Sequence, residues 1–281
     1  MDFVATQLPA EALRQSADDP DLRADDLIWL YRGEESQALL LARRERGGQI
    51  SLRFVPVARL RQRADGTLSF ERLSWRGDLP LKIWEDENLA LPAGAERAAW
   101  LSEWHTDLEW LRALHRTAYS NGLVGLHEEF AHFPTAATAP DVPGLTRDEQ
   151  LLRRFRRRQR TLVETDLLVH ASDHWNFDVR GFNPGGNHGS FYRASTHATL
   201  MFAGGAHTGV PRGLTVSEPY DSLSFVPTVL TLTGQMPMPG TPMTAGFNSQ
   251  PAQFPGRVIA ELFAAPRPEP RPAAGAAGGA H

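Results

Sequence analysis

The sequence predicts an α/β chain in which a sheet with flanking helices follows a small β-rich α+β region. Three observations carry that prediction. Between residues 26 and 72, short apolar runs alternate with polar positions. From about Arg97 the apolar spacing changes to steps of three and four. Residues 165–234 read as strand, long Gly/Asn-rich loop, strand and helix, the order expected at one edge of an α/β sheet. At 281 residues, with 41% hydrophobic and 22% charged side chains, the chain is long enough for a sizeable core and too apolar for wholesale disorder.

The strand region opens with Leu27 to Tyr31 and Ala38 to Leu41, followed by Ile50, Leu52 and Phe54 between polar neighbours, the pattern of a half-buried strand. Pro56, which has no amide hydrogen for a ladder, predicts a strand end or a sheet edge. Asp65-Gly66 predicts a tight hairpin before Leu68 and Phe70, because Gly supplies the positive φ that such a turn needs. Trp100, Leu101, Trp104, Leu108, Leu111 and Leu114 form a core-facing helical stripe that Asn121-Gly122 ends. A short helix is expected over Leu123 to Phe133, then a Pro/Ala/Thr-rich linker from Pro134 to Pro143. Thr146 and Glu149 have capping-box spacing and open a further helix. Beyond it come a strand at 165–171, a loop at 172–195, a strand at 197–203, and a helix from Tyr220 to Thr233 closed by Gly234. The expected organisation is therefore residues 1–135, 136–265 and a disordered tail, 266–281.

Composition excludes several classes of chemistry. With no cysteine there can be no disulfide, no thiolate-held zinc and no cysteine nucleophile, so a metal would need His, Asp or Glu. A net charge of −4 implies neither a nucleic-acid nor a membrane partner. The chain has no signal-like start and no stretch of about 18 apolar residues, so a soluble, cytoplasmic protein is expected. The segment RRFRRRQR, with Arg153, Arg154, Arg156, Arg157, Arg158 and Arg160, has only Phe155 for stacking and reads as a solvated helix face rather than a nucleic-acid site. G-x-G-x-x-G, P-loop and G-x-S-x-G patterns are missing.

Histidines carry the strongest chemical signal: His170, His174, His188, His197 and His207 fall within 38 residues. Neutral imidazole plus carboxylate, without thiolate, suits catalytic Zn²⁺ or a harder divalent ion. The competing reading is a polar loop whose histidines cap backbone groups. Asp166 and His170 have Asp-x-x-x-His spacing, but on a strand they would lie roughly 13 Å apart and could not share an ion. His127 and His132 mimic HExxH with one residue too many for a common helical face, and that reading is set aside.

Two segments, GGNHGSFYRASTHATLMFAGG (185–205) and EPYDSLSFVPTVLTLTG (218–234), resemble the carboxyl-terminal portion of the alkaline phosphatase superfamily, in particular its type I phosphodiesterase/nucleotide pyrophosphatase-like branch. A fainter similarity reaches back through EWLRALHRTAYSNGLVGL (109–126). The resemblance implies a partial alkaline-phosphatase-like sheet and a metal-dependent hydrolase of phosphoric or sulfuric esters. It makes His188 the last metal ligand, Gly189 its neighbour, and Asp221, Pro227, Thr228, Leu230 and Gly234 parts of the closing helix. Two alignments stay open. In one, Asp173-His174 is the family's Asp-His ligand pair; in the other, LLVHASDHW is a strand leading to Trp175, and the ligand pair lies upstream of Met1. Either way no segment before residue 100 resembles the nucleophile strand, so the chain is expected to be the distal half of a catalytic domain. Such a half would expose a sheet edge and associate with itself or with a missing amino-terminal half. The alternative is a non-catalytic binding or scaffold relative that lacks the nucleophile. The implied cofactor is a divalent metal, zinc or another such as manganese, and the implied partner is a small phosphate or sulfate ester.

Overall fold

The computed structural model describes residues 1–16, 20–45, 49–130, 165–173, 175, 190–204, 208–236 and 257–264. These fall into two units, Met1–His197 and Ala198–His281. The chain is mixed α/β. No helix among the described residues is long and apolar enough to cross a membrane.

The first unit is built on a seven-stranded antiparallel sheet. Its strands are β1 (Phe3–Leu8), β2 (Asp26–Gly33), β3 (Ser36–Arg44), β4 (Ile50–Gln62), β5 (Leu68–Arg72), β6 (His105–Thr106) and β7 (Leu167–His170). They lie in the order β5-β4-β3-β2-β1-β7, and the short β6 pairs with β4 at Ser51 and Leu52. Strands β1 to β5 pair in sequence order, and from β2 onward short connections join them and set the register. The β4–β5 turn is the one expected at Asp65-Gly66: Gly66 has φ of 84°, and the Asp65 carboxylate accepts bonds from the backbone and side chain of Thr67. Strand β7 is different. It joins β1 antiparallel, with Phe3 opposite His170 and Thr6 opposite Leu167, across more than 160 residues of sequence.

Both faces of the sheet are covered. Phe3, Ala5, Ile28, Leu30, Leu40, Leu52 and Phe54 face a core shared with Trp110, Leu114, Leu123 and Leu126. On the opposite face, Leu27, Leu39, Leu41, Val55 and Val57 pack with Leu13 of α1 (Ala10–Ser16) and Leu22. The half-buried pattern expected for β4 is thereby corrected, since Ser51 and Arg53 are buried as well. Arg53 is accommodated because its guanidinium donates to the Asp21 carbonyl at 3.2 Å. Pro56 is also not at a strand end. It sits inside β4 opposite Ala38 of β3. Its carbonyl accepts from Leu73, just beyond β5, and the N and C=O of one strand residue point to the same side. The missing amide therefore faces the end of β5 and leaves the β3 ladder whole.

The helix expected from Arg97 onward is broken in two, α2 (Arg97–Leu101) and α3 (Asp107–Leu114), with β6 between them. A capping box causes the restart: the Thr106 hydroxyl accepts from the Glu109 amide at 3.2 Å, and the Glu109 carboxylate accepts from the Thr106 amide at 2.8 Å. The break changes which residues are buried. Trp110, Ala113 and Leu114 enter the core, whereas Leu108 and Leu111 are only half-buried. The Trp110 indole donates to the Leu52 carbonyl at 3.0 Å, tying α3 to β4. Helix α4 (Gly122–Phe130) follows where expected. Residues 197–203 form no strand: α5 (Arg193–Thr196) ends before them, and Leu200 and Met201 are exposed.

In the second unit, a 3₁₀ turn at Ser222–Ser224 leads into α6 (Phe225–Leu232), and Gly234 closes it with φ of 71°. A short helix, α7 (Glu261–Ala264), packs nearby through the Ile259 amide, which donates to the Thr228 hydroxyl. The expected linker at 134–143, the helix opened at Thr146, the arginine run and the tail at 266–281 lie outside the described residues.

Removal of the Thr106 cap by Thr106→Ala should lower stability by about 1 kcal/mol. Urea unfolding would measure this, and Thr106→Ser, which keeps the capping hydroxyl, should retain most of the wild-type stability.

Candidate functional site

The described part of the histidine-rich region is organised by a buried carboxylate at the other end of the chain. Strand β7 ends at His170, and the Asp2 amide donates to the His170 carbonyl at 2.9 Å, continuing the β1–β7 ladder by one residue. This brings the two side chains together. His170 Nδ1 lies 3.2 Å from Asp2 Oδ2, and both residues are buried. The same Oδ2 accepts from the Tyr119 hydroxyl at 2.5 Å and the Tyr192 hydroxyl at 3.2 Å. Tyr119 lies between α3 and α4, and Tyr192 immediately precedes α5, so four chain segments meet at one oxygen.

Aromatic rings seal the network. His170 stacks on Phe3 with centroids 4.8 Å apart and on Phe191 at 5.6 Å, while Tyr119 and Tyr192 lie 4.7 Å apart. Phe191 fits because α4 carries glycine at position 125; a β-carbon there would come within 3.2 Å of its ring. The Phe191 amide donates to His170 Nε2 at 3.2 Å. A backbone N–H can only donate, so Nε2 presents its lone pair and the ring proton resides on Nδ1, aimed at Asp2.

Burial works to raise the Asp2 pKa, but hydrogen bonds from His170, Tyr119 and Tyr192 outweigh it and hold the carboxyl below its usual range. Both phenols move the other way. Burial, with Asp2 beside it, pushes Tyr119 well above the ordinary tyrosine value, and Tyr192 is raised for the same leading reason. Near neutral pH this is one carboxylate with two neutral phenols.

The sequence-predicted metal residues are placed unevenly. Asp173 is described, and its backbone hydrogen-bonds the Tyr192 phenol. His174, His188 and His207 lie outside the described residues. His197 ends α5, with Nδ1 3.3 Å from the His115 carbonyl. Among the described residues, no group of three or more His, Asp or Glu side chains is arranged to hold a metal ion. Asp166 immediately precedes the extended β7 and His170 ends it, as the strand reading of their spacing requires, and His170 is engaged with Asp2. His127, of the false HExxH, is buried with Nε2 3.1 Å from Asp26 Oδ2. That hydrogen bond, against burial and aided by Arg44, lowers the Asp26 pKa. His132 is outside the described residues.

The residues carried by the closing-helix resemblance have identifiable structural roles in the second unit. The Asp221 carboxylate accepts from the Ser224 amide at 3.1 Å and so starts the 3₁₀ turn. Thr228 is fully buried, and Gly234 provides the left-handed helix end.

Sequence reasoning missed Asp2, Tyr119 and Tyr192. The available signal was the alternation of FVATQL, whose Phe3 and Ala5 are buried and which identifies a strand directly after Asp2. No family model, curated protein or solved structure matches the chain.

Asp2→Asn replaces a charged acceptor by a neutral amide and should cost about 2–3 kcal/mol. Because the folded pKa of Asp2 is depressed, its contribution is full above the ordinary aspartate range and is lost as pH falls through the folded value. Denaturant midpoints measured from pH 7 to pH 3 should therefore fall less steeply in Asp2→Asn than in the wild type.

Proposed function

We propose that the chain is the distal part of a metal-dependent hydrolase of phosphoric, or sulfuric, esters, phosphodiesterase/nucleotide pyrophosphatase-like in type. In this reading His188 is a metal ligand, with Asp173 and His174 as second-site ligands. The finer fold assignment, part of an alkaline-phosphatase-like sheet, belongs to the same proposal. The observation that supports it most is the junction at His170. The chain leaves the sheet there and returns at Phe191, whose amide binds the His170 ring. Asp173, His174 and His188 consequently belong to one segment with both ends fixed at the same buried point. Asp173 begins that segment beside Tyr192.

The donor set fits a borderline divalent ion: imidazole and carboxylate in a chain without thiols. When bound, such an ion would stabilise charge on the attacking and leaving oxygens of an in-line displacement. What the chain itself does is positional. Asp2 fixes the His170 tautomer, His170 holds the Phe191 amide, and Tyr192 holds the Asp173 backbone.

The test is metal analysis of the purified full chain, with turnover of nitrophenyl phosphate mono- and diesters. The reading expects bound zinc or manganese that is lost in His188→Ala, together with ester hydrolysis. Equal loss in Asp173→Ala and His174→Ala would assign both as ligands; unchanged metal content would assign them to loop structure. Metal without turnover would favour the non-catalytic binding or scaffold alternative, and no metal at all would contradict the hydrolase reading.

A further inference from the structure

His170 makes two hydrogen bonds whose donor and acceptor roles are opposite, and only one protonation state satisfies both. Nδ1 donates to Asp2, and Nε2 accepts from the Phe191 amide. We propose that this histidine is a pH-sensitive clasp that docks the segment Phe191–His197 on the end of the sheet. Uptake of a proton at Nε2 sets one N–H against another and removes the only role Phe191 can use. The rest of the contact then opposes a single lost bond at the place where the segment is buried.

The docked segment is otherwise held along its length. The Arg193 amide donates to the Ala118 carbonyl at 2.7 Å, the Ser120 and Thr196 hydroxyls are 2.5 Å apart, and the Phe191 ring is buried against α4. Protonation at Nε2 breaks the attachment nearest β7 and leaves these others, so the response is local opening rather than unfolding. The groups that face His170 are Asp2 just before β1, Tyr119 from the α3–α4 connection and Tyr192 from the docked segment, with the apolar rings of Phe3 and Phe191 against it. Hydrogen bonds hold the Asp2 carboxyl below its usual range and burial raises both tyrosines, so of these groups it is the imidazole, through its lone pair at Nε2, whose protonation would set it against the Phe191 amide. Arg193 and His197 lie on the docked segment itself, and His197 contacts the His115 carbonyl. The proposal rests on the hydrogen bonds of His170 to Asp2 and to the Phe191 amide and not on the hydrolase reading.

The test is nitrogen NMR of the histidine rings together with amide hydrogen exchange on the full chain between pH 8 and pH 5. The neutral His170 ring should carry its proton on Nδ1. Protection of the Phe191 amide, corrected for intrinsic exchange, should fall by up to about tenfold per pH unit as His170 takes up its proton. His170→Gln offers a carbonyl to the same amide and takes up no proton, so it should show protection independent of pH. His197→Gln should keep the wild-type dependence. A neutral ring protonated on Nε2, unchanged Phe191 protection while His170 titrates, or a pH dependence abolished by His197→Gln would each overturn the proposal. If His170→Gln does not fold, the wild-type titration alone decides it.

Discussion

A carboxylate removed from water loses several kcal/mol of hydration, and it persists in a folded chain only where donors replace that water. Asp2 meets this condition with three side-chain donors onto one oxygen, from His170, Tyr119 and Tyr192. Each donor comes from a different part of the sequence. The carboxylate therefore fixes the end of β1, the end of β7, the α3–α4 connection and the approach to α5 relative to one another. Leaving any one donor out would strand buried polar atoms, so the four segments are specified together rather than pairwise.

The same logic recurs once more on this sheet. Asp26 at the start of β2 accepts from His127 of α4, with Arg44 beside it. Two histidines that a sequence reading treats as metal candidates or motif members are thus occupied by buried carboxylates, which bind them by hydrogen bonds rather than through an ion. The histidine-rich region separates accordingly. His170 belongs to the framework through Asp2 and Phe191, and the proposed ligands Asp173, His174 and His188 lie in the sequence between those two anchor points, His170 and Phe191.

Features set by neighbouring residues were legible in the sequence. The strands between residues 26 and 72, the Asp65-Gly66 hairpin, α4, and the helix that Asp221 introduces and Gly234 ends all depend on contacts a few residues long. Features set across the chain were not. The β1–β7 pairing and the Asp2 network span about 170 residues and leave no local period. Pro56 was misplaced because its tolerance depends on where β5 stops. The break at residues 102–106 was misread because Trp100, Trp104 and Leu108 keep helical spacing straight through a capping box whose Thr106 and Glu109 were visible. Residues 197–203 have strand composition without a partner strand. Of the candidate site, Asp173 could be named from sequence, but what positions it could not, since Tyr192 and Asp2 acquire their roles only through the fold.

The central claim is that the Asp2 carboxylate acts as a shared acceptor whose donors depend on one another. A double-mutant cycle between Asp2→Asn and Tyr119→Phe, read by denaturant unfolding at neutral pH, tests it most directly. The account predicts a coupling of about 1–3 kcal/mol, because each change removes the partner the other relies on. Strictly additive losses would contradict it and reduce the network to a set of neighbours.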